Sequence, residues 1–223
     1  MTGTTRTISR GVFFTFEGID GSGKSVQARA LAKNLSDLQY PVISLREPGS
    51  TAIAEKIRDI LLDRTHISMT SVTELLLYEA ARAQLVHEAI CPALERKEVV
   101  ICDRFYDSTT AYQGYGRALS LPVIESLNRL ACQNVVPDRT FVFDIPWSVS
   151  LRRRRKEANR ADRMENQDPS FFRSIQQGYH ALAGKEANRI RILDGTQSVK
   201  SLEQDVLEDV LKILRKVEKV THK

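Results

Sequence analysis

Val12-Phe13-Phe14-Thr15-Phe16-Glu17-Gly18-Ile19-Asp20-Gly21-Ser22-Gly23-Lys24-Ser25 is the stretch on which the reading of the fold depends. Its first half is apolar, aromatic and β-branched and runs into a Gly-rich turn, which is how a buried strand reads. A helical stretch then runs from Lys24 to about Leu38, with Val26, Ala30, Leu31 and Leu35 on one stripe. The alternation continues outward. Residues 41–45 read as a strand, 52–63 as a helix with Ile53, Ile57, Ile60 and Leu61 on one face, and 71–95 as a long helix bent near Pro92. Further strands are expected at 98–102, 140–145 and 189–193, and further helices at 121–132, 147–157, 169–183 and 202–217. Continuous apolar strands separated by helices imply a parallel sheet covered on both faces and joined by right-handed crossovers. The expected fold is therefore α/β, an open doubly wound parallel sheet of about five strands flanked by helices. Ligands in such sheets bind beyond the carboxyl ends of the strands.

The turn after the first strand supplies chemistry. Gly18 to Ser25 fits G-x-x-x-x-G-K-[ST]. Glycines let successive backbone N–H groups curl toward phosphate oxygens, and the helix that starts at Lys24 points its positive dipole end at the same anion. This makes Gly18, Ile19, Asp20, Gly21, Ser22, Gly23, Lys24 and Ser25 the candidate nucleoside-triphosphate-binding set, and makes the fold P-loop NTPase-type. Lys24 offers a point charge to the β/γ-phosphates and Ser25 a hydroxyl to Mg²⁺. Asp103 ends the apolar run Val99-Val100-Ile101-Cys102, where a metal-organising carboxylate belongs, acting partly through water. Arg104 follows it into the same cleft. No Asn-Lys-x-Asp run is present, which argues against a GTPase.

Composition narrows the classes further. Hydrophobic residues make up 42% and charged residues 27% of 223, which excludes a disordered or low-complexity chain. The longest apolar run, Leu75-Leu76-Leu77-Tyr78, is cut by Glu74 and Glu79, far short of the ~18 residues that span a membrane. Three scattered cysteines build no disulfide framework and no metal spacing; free thiols suit a reducing, cytosolic compartment. Residues 1–10 are polar and Thr-rich, lack the apolar core of a secretory signal, and read as a flexible leader before a single domain over 11–223. The net charge of +5 is matched by the excess in the segment from Arg152 to Arg163 alone, which holds six arginines and Lys156 against Glu157 and Asp162. A protein that coats nucleic acid spreads its charge over a face, whereas one knot of arginines suits a compact polyanion. Over about 152–168 this knot reads as a mobile Arg-rich lid.

Four segments together carry a family likeness: Glu17 to Ser25, Arg46-Glu47-Pro48-Gly49, Asp103-Arg104-Phe105 and Ala111-Tyr112-Gln113-Gly114. In order and spacing the chain resembles the thymidylate kinases of bacterial type, from Phe13 to the last helix. In those the P-loop lacks an arginine, as at Gly21, and the lid carries them instead. The resemblance implies transfer of the γ-phosphate of ATP to dTMP, giving dTDP for dTTP biosynthesis, with Mg²⁺, in a cytoplasmic homodimer that takes no nucleic acid or membrane as partner. It implies that Asp20 meets the deoxyribose 3′-hydroxyl and that Glu47 and Pro48 line the acceptor side, with Glu47 near the metal. Arg58, Arg104 and Arg46 are similar to the arginines around the monophosphate. Tyr78, where most members have Phe, matches the ring that stacks on thymine. Arg82 matches the reader of O4, Gln113 and Thr109 the polar edge of the base. Ser50 stands where many members have a second glycine.

An acceptor that is already a largely dianionic phosphate needs no general base, so alignment and neutralisation must do the work. Lys24, Arg104 and the lid arginines Arg153, Arg155 and Arg163 are the candidate catalytic residues, with Arg163 best placed by its motif Asp162-Arg163-Met164-Glu165. Two rivals remain. A deoxynucleoside kinase phosphorylating thymidine would use Glu47 as base. A nucleic-acid-binding P-loop ATPase would use the arginine knot on RNA or DNA.

Overall fold

Residues 6–156 and 168–218 are described by the computed structural model, so residues 157–167 of the expected lid, Arg163 among them, lie outside the described residues. Five strands form one sheet: β1 (Val12–Glu17), β2 (Val42–Arg46), β3 (Val99–Asp103), β4 (Arg139–Asp144) and β5 (Ile190–Asp194). Every pairing is parallel and the order is β2-β3-β1-β4-β5. The helices are α1 (Lys24–Asp37), α2 (Ala52–Leu62), α3 (Ser71–Leu85), α4 (Cys91–Glu95), α5 (Tyr106–Thr109), α6 (Leu121–Ala131), α7 (Trp147–Lys156), α8 (Pro169–Lys185) and α9 (Val199–Arg215).

The pleat of β1 sorts the core. Phe14 and Phe16 face α1 and α9, meeting Ala28, Leu31, Leu35, Val206 and Val210. Phe13 faces the other way, against Leu85, Val86, Ile90 and Phe105. Further along that face, Val142 meets Ile19, Phe171, Phe172 and Ile175. Phe13, Phe14 and Phe16 are sealed from solvent, each burial worth about 1.5–3 kcal/mol. With both sides covered, the strands read as continuous apolar runs. Because β1 lies between β3 and β4, the loops leaving β1 and β3 open a crevice at their carboxyl ends, and this is where the motif residues meet.

Several expectations need correction. The buried stripe of α1 is Lys24, Gln27, Ala28, Leu31 and Leu35, and Val26 is 41% exposed. Gln27 is tolerated inside because its Nε2 donates to Val199 O at 2.9 Å. On α2 it is Ala54 and Leu61 that are buried, while Ile53 and Ile60 are exposed. The long helix is interrupted by a π-helical turn over Val86–Ile90, closed by Cys91 N–H bonding to Val86 O. Pro92 has no N–H to continue an α ladder, and a π turn directly ahead of it accommodates that gap. Residues 106–116, expected as loop, form α5 and a second π-helical turn, Thr110–Gly116. Residues 6–10 of the expected leader are anchored: Ile8 is buried and pairs with Glu218, and Arg10 holds Asp138 at 2.6 and 3.2 Å.

Candidate active site

Gly18 to Ser25 joins β1 to α1 as a curled loop. Gly18 has φ 134°, and a Cβ there would stand 2.6 Å from Phe143 O. Gly23 has φ 95° and a Cβ there would meet nothing within 4 Å, so the left-handed backbone and not crowding demands glycine. The open space over Gly23 at the start of α1 is shaped for an anion. Ser22 Oγ is buried without a hydrogen-bond partner in the same loop. The residues therefore fit a nucleotide's phosphates. Helix α7 covers the loop from above: Ser150 Oγ donates to Asp20 O at 2.6 Å, and Arg153 donates to Gly21 O at 3.0 Å, Ser22 O at 3.4 Å and Gly195 O at 3.0 Å.

Next to the cradle lies an open cleft. It is lined by Asp20, Glu47, Pro48, Arg58, Tyr78, Arg82, Arg104, Thr109 and Gln113, so the expected acceptor residues other than Arg46 converge on one space. Asp20 marks the border between the two compartments. One of its oxygens takes Lys24 Nζ at 3.2 Å and Arg104 Nη2 at 2.6 Å. Burial alone would raise the Asp20 pKa, but Lys24 and Arg104 outweigh it and hold the carboxyl below the usual range.

Arg104 is fixed on several sides. Its φ is 72°, its Nη1 donates to Ser108 Oγ at 3.1 Å, and its guanidinium lies 4.9 Å from the centre of the Tyr112 ring. Tyr112 also lines the cleft; its signal was its place inside Ala111-Tyr112-Gln113-Gly114. Arg82, on α3 one turn beyond Tyr78, is 1% exposed. It pairs with Glu47, donates to Glu79 at 2.8 Å and Asn128 at 2.9 Å from Nη1, and to Thr109 at 2.6 Å from Nη2. Burial pushes the Glu47 carboxyl up to about 7 against the opposing pull of Arg82. Gln113 donates to Glu74 at 2.9 Å, and Arg117 holds the same carboxylate at 3.1 Å. Arg58 Nη1 donates to Pro48 O at 2.8 Å, across the cis Glu47–Pro48 peptide.

Two residues fit a cation beside the phosphates. Ser25 sits in the first turn of α1, and Asp103 Oδ1 is buried without a hydrogen-bond partner at the end of β3. A hard, oxygen-liganded ion such as Mg²⁺ suits that pair.

Some expected residues lie apart. Arg46 points to the surface and pairs with Glu55 at 2.8 Å, away from the cleft. Ser50 holds the glycine-like φ of 69°, and its hydroxyl ties back to Arg46 N at 2.8 Å and Arg46 O at 3.1 Å. Arg154 packs over Trp147 at 4.6 Å and Phe172 at 5.3 Å, and Arg155 is exposed. Sequence reasoning missed Ser108, Glu79, Asn128 and Glu74. None belongs to a motif that announces it: Asn128 and Glu74 act on partners distant in the chain, and Glu79 meets Arg82 one helical turn away.

A parallel sheet of this order, a glycine cradle at the first helix and an arginine-lined cleft beside it define a P-loop phosphotransferase with two adjoining substrate compartments. The sequence profile described as thymidylate kinase matches residues 16–206. The thymidylate kinase of Pelobacter propionicus is 45% identical over 206 residues, covering 90% of this chain and 94% of that protein. The thymidylate kinase of Chlorobaculum tepidum is 43% identical, covering 89% and 96%. The crystal structure of thymidylate kinase from Ehrlichia chaffeensis superposes with a TM-score of 0.74 at 33% identity, covering 90% of this chain and 98% of that one. The chain belongs to the thymidylate kinase family.

Proposed function

We propose that this chain transfers the γ-phosphoryl group of ATP to dTMP, giving dTDP. One observation carries the reading: Asp20 and Arg104 stand between a phosphate cradle and an adjoining cleft lined by Arg58, Tyr78, Arg82 and Gln113. Family membership supplies the identities of the two substrates.

The chemistry follows from charge. Two polyanions meet end to end, so the chain must neutralise both. Lys24 and the N–H groups of Gly18 to Ser25 take the donor. Arg104 and Arg58 flank the acceptor phosphate. Tyr78 offers a ring face to the pyrimidine, and Arg82, Thr109 and Gln113 its polar edge. Ser25 and Asp103 would hold Mg²⁺, which would supply further neutralisation of the donor phosphates. Arg163 belongs to the lid segment outside the described residues; we assign it the role of an arginine finger, worth about 10³–10⁵ in rate in related enzymes. Arg153 and Arg155 take supporting roles. The bonds of Arg153 to the cradle's own carbonyls favour holding the loop's shape.

The pairing of Glu47 with Arg82, nearly sealed from solvent, works against Glu47 as a base for a hydroxyl acceptor. The dianionic phosphate of dTMP needs none. Among the described arginines of the knot, Arg153 is turned onto the cradle and Arg154 packs on Trp147, which favours a role at the phosphate site over one on nucleic acid.

The working form is read as a homodimer. Ile53 and Ile60 on α2, Val72 and Leu76 on α3, and Val123 and Leu130 on α6 are large apolar side chains left exposed. These three helices pack in sequence, α2 on α3 and α3 on α6, and a second copy is the occupant that family membership supports. Among the described residues no helix is long and apolar enough to cross a membrane, and none of the three cysteines is in a disulfide. The cytoplasm, where thiols stay reduced, is the compartment we assign. The test is coupled ADP release across acceptors. Turnover with dTMP well above that with dCMP, dGMP or thymidine supports the assignment; preference for thymidine would overturn it.

A further inference from the structure

Glu17 is the last residue of β1, directly before the cradle, fully buried, and unused by the transfer as described. Its hydrogen-bond partners are neutral donors. Phe105 N–H donates to Oε1 at 2.7 Å; Ser108 Oγ donates to Oε2 at 2.5 Å; Tyr179 Oη donates to the same oxygen at 2.9 Å. Arg104 and Asp107 lie close enough to act on it electrostatically in opposite senses.

Proton counting gives the arrangement a direction. A serine hydroxyl has one proton, a carboxylate only accepts and a guanidinium only donates. Ser108 Oγ lies between Glu17 Oε2 and Arg104 Nη1, at 2.5 and 3.1 Å. Its proton therefore goes to the ionised Glu17, and a lone pair is left facing Arg104. The other guanidinium arm is held by Asp20 at 2.6 Å and Tyr112 at 3.1 Å. Arg104 also carries a left-handed φ, which a non-glycine residue keeps only where its surroundings over-determine it.

We propose that Glu17 is a positioning residue for the acceptor phosphate: through Ser108 it fixes the Arg104 guanidinium in the cleft, and through Tyr179 it fastens that setting to α8. The proposal rests on the reading of the cleft as the dTMP site. Steady-state kinetics on the full chain test it, in buffer of about pH 8 where the carboxylate form prevails. Ser108→Ala and Glu17→Gln are each expected to raise the KM for dTMP about 10-fold, with the KM for ATP unchanged and kcat within about 3-fold. The double variant should be no worse than the weaker single, since both break one relay. Ser108→Thr, which keeps the hydroxyl, should restore most of the loss. If Glu17→Gln does not fold, the two Ser108 variants decide. An unchanged KM for dTMP, a parallel rise in both KM values, or additive losses would overturn the relay. A wild-type chain that does not phosphorylate dTMP would overturn the function itself, whereas an active wild type with indifferent variants overturns this inference alone.

Discussion

Lys24 and Arg104 reach the same oxygen of Asp20 from two sides, at 3.2 and 2.6 Å, so the cations of donor and acceptor are organised by one carboxylate. Removing the donor cation should act on the chemical step. Lys24→Ala is expected to lower turnover by about 10²–10³-fold, the scale of one lost charge-stabilising donor, with the thermal midpoint little changed. Single-turnover kinetics and a melting curve check both halves. Glu17 makes a second prediction. Burial raises its carboxyl from the usual 4.5 to about 7. Between those values the folded chain binds the proton and the unfolded chain does not. The stability this group contributes is therefore fully present at the acid end and lost as pH rises through about 7, with a slope of at most about 1.4 kcal/mol per pH unit. Urea titrations at intervals across that range should show a flatter decline in Glu17→Gln than in the wild type. Lys24, Ser25 and Asp103 were legible because motif spacing and the end of an apolar run mark them. Ser108 and Tyr179 were not, because their meaning lies in Glu17, at 91 and 162 residues' distance.

Helix α5 shows why one element escaped the sequence. Tyr106-Asp107-Ser108-Thr109 has weak helix propensity and no apolar period. It is held by tertiary bonds instead: Asp107 is fully buried and takes Arg189 on both oxygens, at 2.7 and 2.9 Å, while Thr140 donates to it at 3.1 Å. Arg189 stands directly before β5, so this ion pair ties the helix that carries Ser108 and Thr109 to the far half of the sheet. Arg189→Ala should leave Asp107 buried and unpaired and cost about 3–5 kcal/mol, read as a lowered urea midpoint at unchanged slope. The π-helical turn at Val86–Ile90 escaped for a similar reason: Pro92 announces an interruption but not its form. Strands and long helices were legible to within three residues at their ends because their periods are written in apolar residues. The stripe on α1 was misassigned because Gln27 is buried by a single bond to Val199, which no hydrophobicity pattern reveals.

At the scale of the molecule, the alternation of elements implied a doubly wound parallel sheet but no strand order; the structure places β1 between β3 and β4, with the crevice at the carboxyl ends of β1 and β3. What the sequence hid is the outer surface: Ile53 and Ile60 were read as core and are exposed. Leu76→Glu, at a 51% exposed position on α3, should shift the chain toward monomer in sedimentation velocity while its circular dichroism stays native; a single monomeric species in the wild type would contradict the dimer. On the proposed reading two anionic nucleotides lie end to end in one cleft, joined through cations and without a proton acceptor. It is tested most directly by an inhibitor in which adenosine and thymidine are linked through a polyphosphate chain. Inhibition should be competitive against ATP and against dTMP, each abolishing binding of the linked molecule. Competition with ATP alone, leaving dTMP kinetics untouched, would contradict it.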